Sequence, residues 1–164
     1  MSKRPAWLGG KLAQPVLALL AAGGAALACV GQREDADLLR GIRGVPSSEY
    51  APCDPDRRLC AGVTTSIEFH TLDELNPFVE YDIGRSARVS RVEVHNRREE
   101  PLRDRAVPLV VFTSGDGEHW HQVARRDEAF DVWTATFPST DARYLKLMVD
   151  RHSILHLDQV RAFE

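Results

Sequence analysis

Three side chains stand out for what their chemistry could grip: His70, Arg97 and Arg105. A guanidinium offers a rigid fork of N–H donors that spans two neighbouring hydroxyls, and an imidazole adds a donor or an acceptor. Together they suit a polyhydroxylated ligand. All three lie within the stretch from Phe69 to Pro108, with 26 residues between His70 and Arg97. Each falls at a loop-like position flanking a predicted strand. An aromatic face normally completes such a site, and Phe69, Phe78 and Tyr81 are the rings at hand, although Phe69 and Tyr81 read first as core. Neutral hydrogen bonds net only about 0.5–1.5 kcal/mol each, so one such site is weak and gains from multivalency. The bland reading makes the arginines ion-pair partners of Glu99, Glu100 and Asp104, and lets His70 satisfy backbone groups.

Other candidate chemistry is thinner. His119-Trp120-His121 would place two imidazoles on one side of a strand. No third ligand stands at a recognisable spacing, so no metal is expected there. His152 and His156 are distant in sequence, and Trp120 reads as core. The sequence carries no Gly-x-Ser-x-Gly elbow, no His-Glu-x-x-His, no phosphate loop and no dinucleotide fingerprint. The carboxylates are scattered, which nominates no glycosidase pair. No catalysis is expected.

The elements that must position these residues are short β-type runs separated by turn signals, the pattern of an all-β sandwich or barrel. Phe78 to Ile83 ends at Gly84. Val89 to Val94 breaks phase once, which predicts a bulge. Leu109 to Phe112 leads into Ser114-Gly115-Asp116-Gly117, where Asp-Gly favours a tight hairpin turn. The next strand carries Trp120 and Val123. Val132 to Phe137 sets Trp133, Ala135 and Phe137 on one face, and Tyr144 to Val149 does the same for Leu145, Leu147 and Val149. A last strand is predicted between Leu155 and Phe163. The expected fold is an antiparallel β-sandwich with room for one full core.

The N-terminal part differs. Residues 1–28 combine Lys3, Arg4 and Lys11 with an almost wholly apolar run from Pro15 to Ala28, and the first acidic residue is Glu34. This is the form of a secretory signal, too short for a comfortable membrane span. Cys29 follows Ala26-Leu27-Ala28, which resembles a bacterial lipoprotein signal, with Ala26 where Leu is favoured. The expectation is a lipid anchor on Cys29, a tether over 29–38 and one domain over 39–164. The alternative is a plain signal peptide. Cys53 and Cys60 bracket a polar, turn-forming segment and are expected to pair as a disulfide in an oxidising compartment; two free thiols are the alternative. Removing Lys3, Arg4 and Lys11 takes the formal charge from −3 to −6. So acidic a domain has no electrostatic footprint for nucleic acid, and its membrane contact is expected through the lipid anchor alone.

From about Ser47 to Glu164 the chain resembles a discoidin domain, the coagulation-factor 5/8 type C module of the galactose-binding-like jelly roll. The pieces that carry the resemblance are Asn76-Pro77-Phe78-Val79-Glu80-Tyr81-Asp82-Ile83-Gly84, Val92-Glu93-Val94-His95-Asn96-Arg97, Ser114 to Trp120, and Ala142-Arg143-Tyr144-Leu145-Lys146-Leu147. Within that group it is most similar to the fucolectin branch, whose motif sets 26 residues between a histidine and an arginine in an Asn-Arg-x-Asp-Cys-Cys loop. His70, Asn96 and Arg97 match. Glu99 replaces the Asp, Glu100-Pro101 replaces the cysteine pair, and Arg105 fits the second arginine with a one-residue insertion. The resemblance implies ligand binding by His70, Arg97 and Arg105. It also leaves room for a structural calcium, near which Asp73 and Glu74 are the available carboxylates, and no other cofactor is expected.

These readings converge on an exported, lipid-anchored envelope protein that binds a carbohydrate or glycoconjugate without catalysis. The alternative is a protein–protein or scaffold module that binds an envelope protein and has no sugar site. A phospholipid binder ranks third because of the acidic charge, and an enzyme last.

Overall fold

The computed structural model describes residues 36–50 and 69–164. The expected signal, the lipidation position Cys29 and the pair Cys53 and Cys60 lie outside them. Nine strands and one 3-10 helix are described: β1 Val45–Pro46, β2 Phe69–His70, β3 Glu74–Leu75, β4 Phe78–Asn96, the helix Glu100–Ala106, β5 Leu109–Ser114, β6 His121–Arg126, β7 Val132–Val149, β8 His152–Ser153 and β9 His156–Phe163.

Two long strands organise the sandwich. The first half of β4 pairs with the second half of β7, from Phe78↔Met148 to Val89↔Thr140. This layer continues through β1 on one side and through β5 and β6 on the other. The second half of β4 pairs with the start of β7, from Arg91↔Thr136 to His95↔Val132. Beyond β4 here lie β9 and then β2, which close the second layer. All pairings are antiparallel, and the architecture is the expected jelly-roll β-sandwich.

The sequence reading split each long strand in two, and the structure corrects it. Phe78–Ile83 does not end at Gly84, and Val132–Phe137 is not separate from Tyr144–Val149. Each pair is one strand that bends through a register shift. At the first bend Gly84 takes φ 81°, which only glycine adopts cheaply, and donates its N–H to Asp82 Oδ1 at 2.7 Å. On β7 the excess residues include Pro138, which has no N–H to leave unpaired. The phase break expected within Val89–Val94 is present as the Val89/Arg91 shift.

The core lies between the layers. Val79, Tyr81, Val89, Val92 and Val94 from β4 meet Leu145, Leu147 and Val149 from β7 and Leu157 and Ala162 from β9, all buried. Trp120, read as core, is not in it. It is half-buried just before β6, with Lys146 Nζ 3.8 Å from its ring centroid. Lys146 also reaches Glu80 at 2.7 Å, so the indole stacks on a cation on the outer face instead of filling the interior. Asp37 and Leu38 are already tied to β9: Leu38 N–H donates to the Ala162 carbonyl, and Ala162 N–H donates to Asp37 Oδ1. Among the described residues, no helix is long and apolar enough to cross a membrane.

Candidate ligand-binding site

His70 ends β2, and the antiparallel register sets it directly opposite His156 on β9. Their ring centroids are 5.4 Å apart. His70 Nδ1 lies 2.8 Å from the Thr71 carbonyl, which fixes the proton on Nδ1 and leaves Nε2 as an acceptor. Burial lowers the His70 pKa, opposed by the Thr71 bond and assisted by the charges of Arg97 and Arg105. His156 is 3% exposed, and among the described residues neither of its ring nitrogens has a hydrogen-bond partner. Its pKa is pushed down to about 4, first by burial, then by Arg97 and His70, with Glu99 opposing. Both imidazoles are therefore neutral near pH 7, and both lie in the field of the same two guanidinium groups.

Arg97 follows the last residue of β4. Asn96 positions it: the buried Asn96 side chain donates to the Arg103 and Phe130 carbonyls, both at 3.0 Å, and accepts the Arg97 N–H at 2.8 Å. The loop beyond is gripped by Arg103, whose guanidinium donates to the Arg97 carbonyl at 3.3 Å and the Arg98 carbonyl at 3.0 Å. Arg103 in turn pairs with Asp131 and Glu100. Where the resembling family has vicinal cysteines, this loop is held by an Asn–Arg hydrogen-bond knot. Arg97 itself is buried, and its Nε donates to Glu99 Oε2 at 3.1 Å. The Glu99 carboxyl is held below its ordinary range by its own backbone N–H and by Arg97.

Arg105 lies on the 3-10 helix. Ser153 Oγ donates to its carbonyl at 2.8 Å, and Arg151 donates to the carbonyls of Val107 and Asp104. The helix is thus pinned to the β8 region through its backbone. The Arg105 guanidinium makes no hydrogen bond or ion pair among the described residues, which leaves its donors for a ligand.

The structure therefore brings His70, Arg97 and Arg105 together around His156. Sequence reasoning missed two further members. His156 is 86 residues from His70, and only strand pairing makes them neighbours. Tyr50, 65% exposed, sets its ring 5.2 Å from His70 and donates its backbone N–H to the His70 carbonyl at 2.9 Å. It is the exposed aromatic face of the cluster. Phe69 and Tyr81 are buried as expected, and Phe78 packs near Lys146 on the other layer.

The expected calcium carboxylates are engaged elsewhere. Glu74 Oε1 accepts from Ser47 and Ser48, both at 2.6 Å, and Asp73 lies 3.1 Å from His152 Nδ1. As placed, they do not fit a shared cation. His119 pairs with Asp116 and His121 is exposed; among the described residues no cluster of three metal-ligating side chains forms.

Solved structures share this architecture. A histidine mutant of the lectin-binding domain of lectinolysin, complexed with Lewis b, superposes with TM-score 0.64 at 24% identity, over 80% of this chain and 97% of that one. A CBM32 module from Clostridium perfringens, in complex with GalNAc-β-1,3-galactose, gives TM-score 0.63 at 17% identity, over 79% and 100%. The fucolectin from striped bass (Morone saxatilis) serum gives 0.64 at 18%, over 78% of this chain and 47% of that one. The domain is discoidin-like. No protein-family model matches the sequence, and no curated protein does. The likeness is one of fold, and the discoidin-like domain's ligand must be argued from its own residues.

Proposed function

We propose that this discoidin-like domain is a non-catalytic carbohydrate-binding module, with His70, Arg97 and Arg105 as its hydrogen-bonding groups and Tyr50 as its stacking face. The observation that carries the reading is the convergence of two guanidinium groups on a pair of neutral imidazoles, the half-buried His70 and the buried His156. The groups open to a ligand are His70 Nε2 and the Arg105 fork, which make no hydrogen bond among the described residues and which a hydroxyl-rich ligand satisfies. Neighbouring folds that carry Lewis b or GalNAc-β-1,3-galactose support a sugar as that ligand. A glycan array probed with the multimerised protein tests it: binding to a defined glycan set, lost on His70→Ala, is expected. No binding in multimeric form would sink the lectin reading.

The N-terminal pattern supports export and a lipid anchor on Cys29, with a Cys53–Cys60 disulfide in the exported domain. Mass spectrometry is expected to find diacylglycerol on Cys29 and a non-reduced pair. One observation favours the scaffold alternative: Glu99 already holds Arg97 Nε. On that reading a protein partner survives His70→Ala and Arg97→Ala together, whereas a glycan is lost.

A further inference from the structure

A cleft lined in part by Arg97 lies next to the His70 site. It has a volume of about 380 Å3 and is bordered by His95, Arg97, Arg98, Val132, Asp158 and Gln159 among others. That falls within the roughly 300–1,000 Å3 of small-ligand sites. One residue in it is unusual. In the β4–β9 ladder His95 pairs with Gln159 but Asn96 pairs with Leu157, so Asp158 is the extra residue of a β-bulge. A bulge re-aims a side chain, and here it turns a carboxylate out of the ladder into the cleft.

That carboxylate is poorly satisfied. Its side chain is 16% exposed, Arg98 Nε is 3.6 Å away and His156 Nε2 is 3.8 Å away, both beyond hydrogen-bond distance. Burial raises its pKa, which Arg98 only partly offsets. A half-buried carboxylate without donors is a strong acceptor for paired hydroxyls. Beside it the Gln159 amide is exposed and makes no side-chain hydrogen bond among the described residues. Val132, 50% exposed, supplies an apolar surface on the same wall. The fixed charges are mixed, with Arg103 matched by Asp131 and Glu100. A neutral ligand rich in hydroxyls fits this lining better than an ion does.

We propose that this cleft is a second sugar subsite, continuous with the first through Arg97, so that the domain takes a glycan of at least two units. Asp158 accepts from two hydroxyls of the second unit, Gln159 adds the amide, and Val132 meets the ring's apolar face. The inference rests on the carbohydrate reading of the His70 site. Its test is affinity measurement on the purified protein with two probe pairs: galactose against GalNAc-β-1,3-galactose, and fucose against Lewis b. In the pair that binds, the longer glycan is expected to bind at least about tenfold more tightly. Asp158→Asn combined with Gln159→Ala is expected to erase that gain and to leave monosaccharide affinity within about twofold, which also reports intact folding. A gain that survives the two substitutions, or no gain in the unsubstituted protein, overturns the subsite while His70-dependent monosaccharide binding still stands. Failure to bind any of the four probes overturns the subsite as drawn, whereas the carbohydrate reading itself falls only with the multimerised protein on the array.

Discussion

Two histidine-bearing regions of this molecule invite comparison. In the turn after β5, Asp116 accepts the backbone N–H groups of Glu118 and His119, the His119 ring and the Ser114 hydroxyl. Its carboxyl is held far below the ordinary range, first by the His119 backbone. The Asp116 carboxylate is thus fully engaged by its own turn, and both it and His119 are exposed. At the β2–β9 edge the situation is reversed: among the described residues the buried His156 nitrogens have no hydrogen-bond partner, and the nearby Arg105 fork makes no hydrogen bond or ion pair. The first arrangement is architecture that completes itself. The second has groups left over, and on the proposed function that difference is what recognition requires.

The sharpest way to break this contrast is to remove the gripping groups. His70→Ala with Arg97→Ala is expected to weaken glycan binding about a hundredfold or more, since bonds to charged groups contribute about 1.5–3 kcal/mol each. A glycan array or titration checks it, and a cooperative melt confirms the fold. Undiminished binding would move the site elsewhere.

The next effect is on stability. His156 has an ordinary value of 6.5 and a folded value of about 4, so between these the unfolded chain binds the extra proton. Its contribution is fully present above pH 6.5 and declines as the pH falls toward 4, by an amount on the order of 2–3 kcal/mol. Denaturant unfolding at pH 7 and pH 4 should show this loss, and His156→Gln should flatten it. Arg97 and Arg105 act on His156 as fixed positive charges, while the Glu99 and Asp158 carboxylates face it from the neighbouring loop and from β9.

A smaller effect separates positioning from contact. Arg103→Ala frees the carbonyls of Arg97 and Arg98 and is expected to weaken binding about tenfold, with little change in melting temperature. Loss of the fold instead would make Arg103 purely structural. Smallest of all, Asp116→Ala should lower the melting temperature slightly and leave glycan binding unchanged; a binding defect there would erase the distinction between the two regions.

Much of the fold was legible. Alternation set Leu145, Leu147 and Val149 inward and the phase slip near Val89 was a bulge, whereas the tight Asp-Gly hairpin is a longer loop, since β5 ends at Ser114 and β6 begins only at His121. The lengths of β4 and β7 were not legible, because Gly84 and Pro138 look like terminators when a bend within a strand uses the same residues. Trp120 was misread for a related reason: hydrophobicity favours the interior, but a cation on the outer face stabilises an indole too.

What the sequence determined by itself was the sandwich, and it nominated one half of the proposed site: a histidine and two arginines beside predicted strands, with a histidine-to-arginine spacing that resembles the fucolectin motif. Side-chain type and periodicity are local properties and can be read along the chain. Only tertiary structure decided that His156 faces His70, that Tyr50 is the exposed ring, and that Asp158 is turned into a second cleft. Those facts depend on strand register across long separations. One residue of slip moves a side chain to the opposite face, and no local pattern records which partner β9 will choose.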